Sequence, residues 1–134
     1  MSTFLDLGIQ KEYIKGLNEL GIKIPSEIQK KAIPILLNSK TDFVGLAQTG
    51  TGKTAAFGLP ILQNIDAKKD EIQALILSPT RELVQQIKKQ LFKFTKYCND
   101  KIFLEAVFGG EKIDIQIKNL QRTTHIVIAT PGRL

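Results

Sequence analysis

The chain has 134 residues, enough for one domain whose core buries roughly two thirds of the unfolded chain's surface. An apolar share of 43% with 24% charged residues excludes disorder, and no run approaches the roughly eighteen apolar residues of a spanning helix, so no membrane partner is expected. The net charge of +6 favours polyanionic partners, while a single cysteine, Cys98, and no export signal in MSTFLDLGIQ fit a reducing, cytoplasmic setting.

Tyr13, Ile14, Leu17 and Leu20 recur at helical spacing, and Gly21 follows where a left-handed C-terminal cap belongs. Pro25 and Ser26 announce a second helix. Gln29, three residues after Ser26, completes a capping box, and Ala32, Ile33, Leu36 and Leu37 share one face. Pro34 is expected to kink this helix or shorten its first half.

After the polar turn NSKTD the chain alternates short apolar runs with longer amphipathic stretches. The runs Phe43 to Ala47, Ala74 to Ser78, Leu104 to Phe108 and Ile126 to Ala129 predict parallel strands covered on both faces. Between them, Arg81 to Tyr97 reads as an amphipathic helix. Leu83, Val84, Ile87, Leu91 and Phe94 form its apolar stripe, and Lys88, Lys89, Lys93 and Lys96 its solvated side. Alternating strand and helix implies an open α/β sheet with right-handed crossovers.

AQTGTGKT, residues 47–54, matches the phosphate-binding loop except that Ala47 replaces its first glycine. Gly50 and Gly52 let successive amides face one point, and the helix start adds its positive end. Lys53 would reach the outer phosphates, and the hydroxyl of Thr54 would ligate Mg²⁺.

Two later runs end alike, in LILSPTREL and IVIATPGRL: an apolar strand, then Thr and Pro, then Arg where a helix begins. In a parallel sheet all three turns would line the carboxyl edge, and LEAVFGG adds Gly109 and Gly110 there. One nucleotide needs only the first turn. The set as a whole points to a nucleic-acid backbone.

Taken in order, these segments resemble the first RecA-like domain of DEAD-box RNA helicases over essentially the whole chain. GIKIPSEIQ is similar to that family's Q motif, AQTGTGKT to motif I, PTREL to motif Ia, the glycine pair to its glycine doublet, and TPGRL to motif Ib. The resemblance implies an α/β RecA-like P-loop NTPase domain, incomplete, with a mostly parallel sheet flanked by helices. Residues 1–40 would be the Q-motif region and 41–134 the P-loop core up to motif Ib.

It further implies ATP and Mg²⁺ as cofactors and RNA, single-stranded or duplex, as partner. Gln29 would bond the adenine edge, with Phe4 in the place of the family's isolated upstream aromatic. Ile22 stands where an aromatic usually stacks on the base, which shifts adenine selectivity towards Gln29. Gln48, Thr49, Gly50, Thr51, Gly52, Lys53 and Thr54 would hold the phosphates, Lys53 and Thr54 acting in catalysis and Thr54 on the metal. Pro79, Thr80, Arg81, Gly109, Gly110, Thr130, Pro131, Gly132 and Arg133 would face the RNA backbone. His125 matches no motif and reads as structural.

The Asp-Glu-Ala-Asp sequence that names the family does not occur in these residues. The expectation is therefore a fragment of a longer ATP-dependent RNA helicase that binds ATP and RNA but hardly hydrolyses. A passive RNA- or nucleotide-binding module and a P-loop motor acting on DNA stay open as alternatives.

Overall fold

The computed structural model describes residues 3–47, 52–109, 117–118 and 122–133. The chain forms two compact units: Met1–Asn64 with Lys93–Asn99, and Ile65–Phe92 with Asp100–Leu134.

The first unit holds three helices, α1 (Lys11–Glu19), α2 (Glu27–Asn38) and α3 (Lys53–Asn64). Helix α1 ends as its sequence predicts. Gly21 takes φ +80°, the Gly21 N–H donates to Asn18 O at 3.0 Å, and the Ile22 N–H donates to Leu17 O at 2.9 Å. These two bonds satisfy carbonyls that the helix end would otherwise leave bare. The capping box opening α2 is also present: the Gln29 N–H donates to Ser26 Oγ at 3.4 Å and the Ser26 N–H to Gln29 Oε1 at 2.9 Å.

Helix α2 nevertheless runs unbroken through Pro34, which does not shorten it. It packs against α3. The buried apolar side chains of this unit include Phe4, Ile9, Leu17, Ile33, Leu59, Leu62 and Phe94. Gly16 lets the chain around Phe94 come close, since a Cβ there would stand 3.0 Å from the Phe94 carbonyl oxygen. Beside it, on the surface, Glu19 accepts from both Lys96 Nζ and Tyr97 Oη. These bonds hold the Glu19 carboxyl below its ordinary range and raise both the Lys96 ammonium and the Tyr97 phenol.

The second unit holds β1 (Ala74–Leu77), most of α4 (Arg81–Phe94), β2 (Leu104–Val107), β3 (Ile126–Ala129) and a 3-10 turn, Pro131–Arg133. The strands form a parallel sheet in the order β1-β3-β2, with Leu77, Ala129 and Val107 level across it. Central β3 is buried throughout, as its unbroken apolar run predicts.

His125 fixes where the strands start. Its carbonyl accepts from the Gln73 N–H at 2.8 Å, its own N–H donates to Phe103 O at 2.9 Å, and its Nδ1 accepts from the Phe103 N–H at 3.0 Å. Because Nδ1 accepts, the ring proton sits on Nε2, which is buried without a partner among the described residues.

Three sequence expectations are corrected. Phe43 to Ala47 is not a strand: Val44 and Leu46 are 84% and 91% exposed, and no described strand pairs with them. An apolar run becomes a strand only when a neighbour takes its N–H and C=O groups. Strand β1 is not covered on both faces either, since Leu75 and Leu77 are exposed while Ile76 is buried. Helix α4 ends at Phe94 rather than Tyr97, the chain turning where the Lys96 N–H donates to Lys93 O and the Cys98 N–H to Thr95 O.

Candidate functional site

In the first unit the site is built at the start of α3. The Gly52 carbonyl accepts from the Ala56 N–H at 3.2 Å, so Gly52 opens the helix, and Lys53 and Thr54 occupy its first turn. The first N–H groups of a helix have no acceptor within it, and this first turn carries no acid to offset their positive field. Lys53 is exposed and Thr54 half-buried. The arrangement presents backbone donors, a mobile cation and a hydroxyl at one point, a combination suited to an anion with a bound metal.

Gly52 is held from a distance. Gln29, 3% exposed, donates from Nε2 to the same Gly52 carbonyl at 3.1 Å. Gly52 has φ +85°, and a Cβ on it would lie 2.4 Å from that Nε2. Only glycine fits such a backbone without strain. The amide of Gln29 therefore works at both ends, Oε1 on the α2 cap and Nε2 on Gly52 just before α3. It keeps one N–H and one lone pair for any further partner.

The second unit supplies a different surface. With the strand ends level, the segments following β1, β2 and β3 leave one edge of the sheet together. The Ser78 N–H donates to Ala129 O at 3.0 Å and the Thr130 N–H to Val107 O at 3.0 Å, which carries the sheet's register into the turns. Thr80 caps α4, its Oγ1 accepting from the Leu83 N–H at 3.2 Å. Arg81 then starts the helix, its guanidinium 6.0 Å from the centre of the Phe108 ring. A Cβ at Gly109 or Gly132 would meet nothing within 4 Å, so the backbone there faces open space.

The sheet edge thus gathers Pro79, Thr80, Arg81, Gly109, Thr130, Pro131 and Gly132. Gln48, Thr49, Gly50, Thr51 and Gly110 lie outside the described residues, as does the side chain of Arg133. Of the three turns expected on one edge, those following β1, β2 and β3 are the ones described, while residues 48–51 of the remaining one lie outside the described residues. Phe4 is 2% exposed and belongs to the first unit's core, and Ile22 is half-buried just past the α1 cap. Sequence reasoning missed the bond from Gln29 to Gly52, and it left His125 without a specific task.

A family model described as DEAD/DEAH box helicase matches residues 26–134. The chain belongs to that family. Relatives of the DEAD/DEAH box family extend the likeness over nearly the whole chain. It is 45% identical over 133 residues to the ATP-dependent RNA helicase DeaD of Escherichia coli K12, covering 99% of this chain but 21% of that protein. A DEAD box protein from Methanococcus jannaschii matches with TM-score 0.90 and 34% identity, over 98% of this chain and 35% of the other. Dbp5 of S. cerevisiae bound to RNA and ADP BeF3 matches with TM-score 0.86 and 31% identity, over 99% and 33% respectively. The fold is accordingly the RecA-like α/β arrangement of DEAD-box proteins, present here in part.

Proposed function

We propose that the chain is the nucleotide-holding and RNA-gripping part of a cytoplasmic ATP-dependent RNA helicase. The observation that carries the nucleotide half is the Gln29 bond to Gly52, which ties the Q-motif segment to the residue opening α3. A triphosphate suits the donors, lysine and hydroxyl assembled there. Lys53 would neutralise its outer charge, Thr54 would offer an oxygen to Mg²⁺, and Gln29 would use its spare N–H and lone pair on adenine. Bound ATP would supply the free energy for remodelling RNA.

The level sheet edge supports the RNA half. Thr80, Arg81, Gly109, Thr130, Gly132 and Arg133 would meet sugar and phosphate, contacts that position a strand without reading bases. Ribose contacts would favour RNA over DNA. Hydrolysis also needs acids that orient the attacking water and cations that stabilise the transferred phosphoryl group. Since Asp-Glu-Ala-Asp does not occur in these residues, the chain alone should bind with little or no turnover.

Arg81→Ala tests the RNA half. The reading expects weaker binding of every RNA sequence alike and a salt dependence flatter by about 0.7 in log–log slope, one single-strand phosphate contact. Losses that depend on base sequence would overturn it.

A further inference from the structure

Beyond the sheet edge, α4 and β2 enclose a surface groove of about 490 Å³, and its lining includes Gln85, Lys88, Lys89, Phe92, Glu105 and Phe108. That volume lies within the usual range of small-molecule sites and is large enough for one nucleoside. Arg81, Gln85, Lys88 and Phe92 follow one another at helical spacing, so they form one stripe running roughly 16 Å along α4. The stripe starts at the sheet edge, where Arg81 lies over the ring of Phe108, itself part of the groove wall.

Three cations line this path. Arg81 is 3.9 Å from Glu82, and Glu105 is the one acid among the described residues of the groove lining. Phe92 is 63% exposed although it stands on an otherwise solvated side of the helix. Cations interleaved with an accessible aromatic ring are the chemistry of single-stranded nucleic-acid grooves, where lysines follow phosphates and rings stack on bases. An acidic peptide would use the lysines but has no base to stack on an exposed ring.

We infer that this groove receives one unpaired nucleotide flanking the RNA held on the sheet edge, its phosphate against Lys88 and Lys89 and its base stacked on Phe92. The inference rests on the RNA-binding reading above. Glu105 repels phosphate from the β2 wall, which leaves the helix side for the backbone. It can also accept a hydrogen bond from the amino group of a base.

The test measures affinity of the chain for a short single-stranded RNA and for the same RNA lengthened by one to three nucleotides at either end. Lengthening at one end should tighten binding about tenfold. Phe92→Ala should remove most of that gain without changing affinity for the short RNA, and abasic added nucleotides should behave like Phe92→Ala. Lys88→Gln with Lys89→Gln should flatten the log–log salt slope of the long RNA by about 0.7, the one phosphate they share.

Equal affinity for short and long RNA, or a gain that survives Phe92→Ala, would overturn the groove site. Polyglutamate binding that Lys88→Gln with Lys89→Gln removes, in a chain that shows no length-dependent gain for RNA, would also overturn it, in favour of a peptide. No binding of either RNA would instead overturn the RNA-binding reading on which the inference stands.

Discussion

In the first unit one side chain fastens the residue that opens α3: Gln29 reaches across 23 residues of sequence to bond Gly52. Among the described residues of the second unit no one side chain ties a turn to a distant segment in this way; Thr80 bonds only within its own helix start. There the backbone register of a parallel sheet delivers Thr80, Gly109 and Thr130 to the same edge, and backbone bonds at Ser78 and Thr130 carry that register outward. The difference predicts different failures. The first turn should be lost locally while its helices persist, whereas the second unit's turns should be lost together with its core.

The largest effect should come from breaking the second unit's register. His125→Ala removes a fully buried ring and the acceptor for the Phe103 N–H, and should cost about 2 to 4 kcal/mol in urea denaturation. RNA affinity should fall with stability, because all the edge turns depend on the same strands. A His125→Ala chain of unchanged stability would show that the sheet does not rely on this ring.

An intermediate effect is expected at the first unit's turn. Gly52→Ala forces a side chain into φ +85° against Gln29 and should cost about 1 to 3 kcal/mol. Gln29→Ala deletes the capping box as well as the Gly52 bond, yet should cost only about 1 kcal/mol, since the helix remains. Both should weaken binding of a fluorescent ADP analogue while leaving RNA affinity near that of the parent chain. Equal loss of RNA binding would erase the contrast between the two units.

The smallest effect concerns the surface group of Glu19, Lys96 and Tyr97. The lowered Glu19 pKa contributes stability present above its ordinary value of 4.5 and lost as pH falls through the lowered one. The raised Lys96 and Tyr97 values contribute stability complete below about 10, lost as pH rises through them. Glu19→Gln should therefore lower the thermal midpoint slightly between about pH 5 and 10, with the gap closing in acid. Solvent screening keeps such exposed pairs weak. A gap that persists at pH 2 would assign the effect to packing instead.

Features decided by neighbours in sequence were readable from it. The Ser26 and Gln29 box and the Gly21 cap each need only three or four consecutive residues, and each stands where the sequence puts it. Strand β3 was readable because its four apolar residues are buried on both faces. Phe43 to Ala47 carries a similar apolar pattern, but a strand is a property of a pair, and the sequence of one segment does not state its partner.

The candidate site divides the same way. Lys53, Thr54, Thr80 and Arg81 follow from short motifs at helix starts. The bond from Gln29 to Gly52, the approach of Phe94 to Gly16 and the bonds of His125 to residues 73 and 103 join distant parts of the chain. Only the fold brings them together. Lys88 and Lys89 read as a solvated face from helical spacing alone, and it takes the placement of β2 beside them to make a groove wall.

The most direct test of the central claim is phosphate release from ATP by this chain, with and without single-stranded RNA, alongside binding of fluorescent ADP in the same sample. The account predicts that ADP binds, that Lys53→Ala abolishes this binding without unfolding the chain, and that RNA stimulates no release. ADP affinity unchanged by Lys53→Ala would contradict the nucleotide site, and RNA-stimulated release that Lys53→Ala removes would show that these residues already hold the carboxylate needed for hydrolysis.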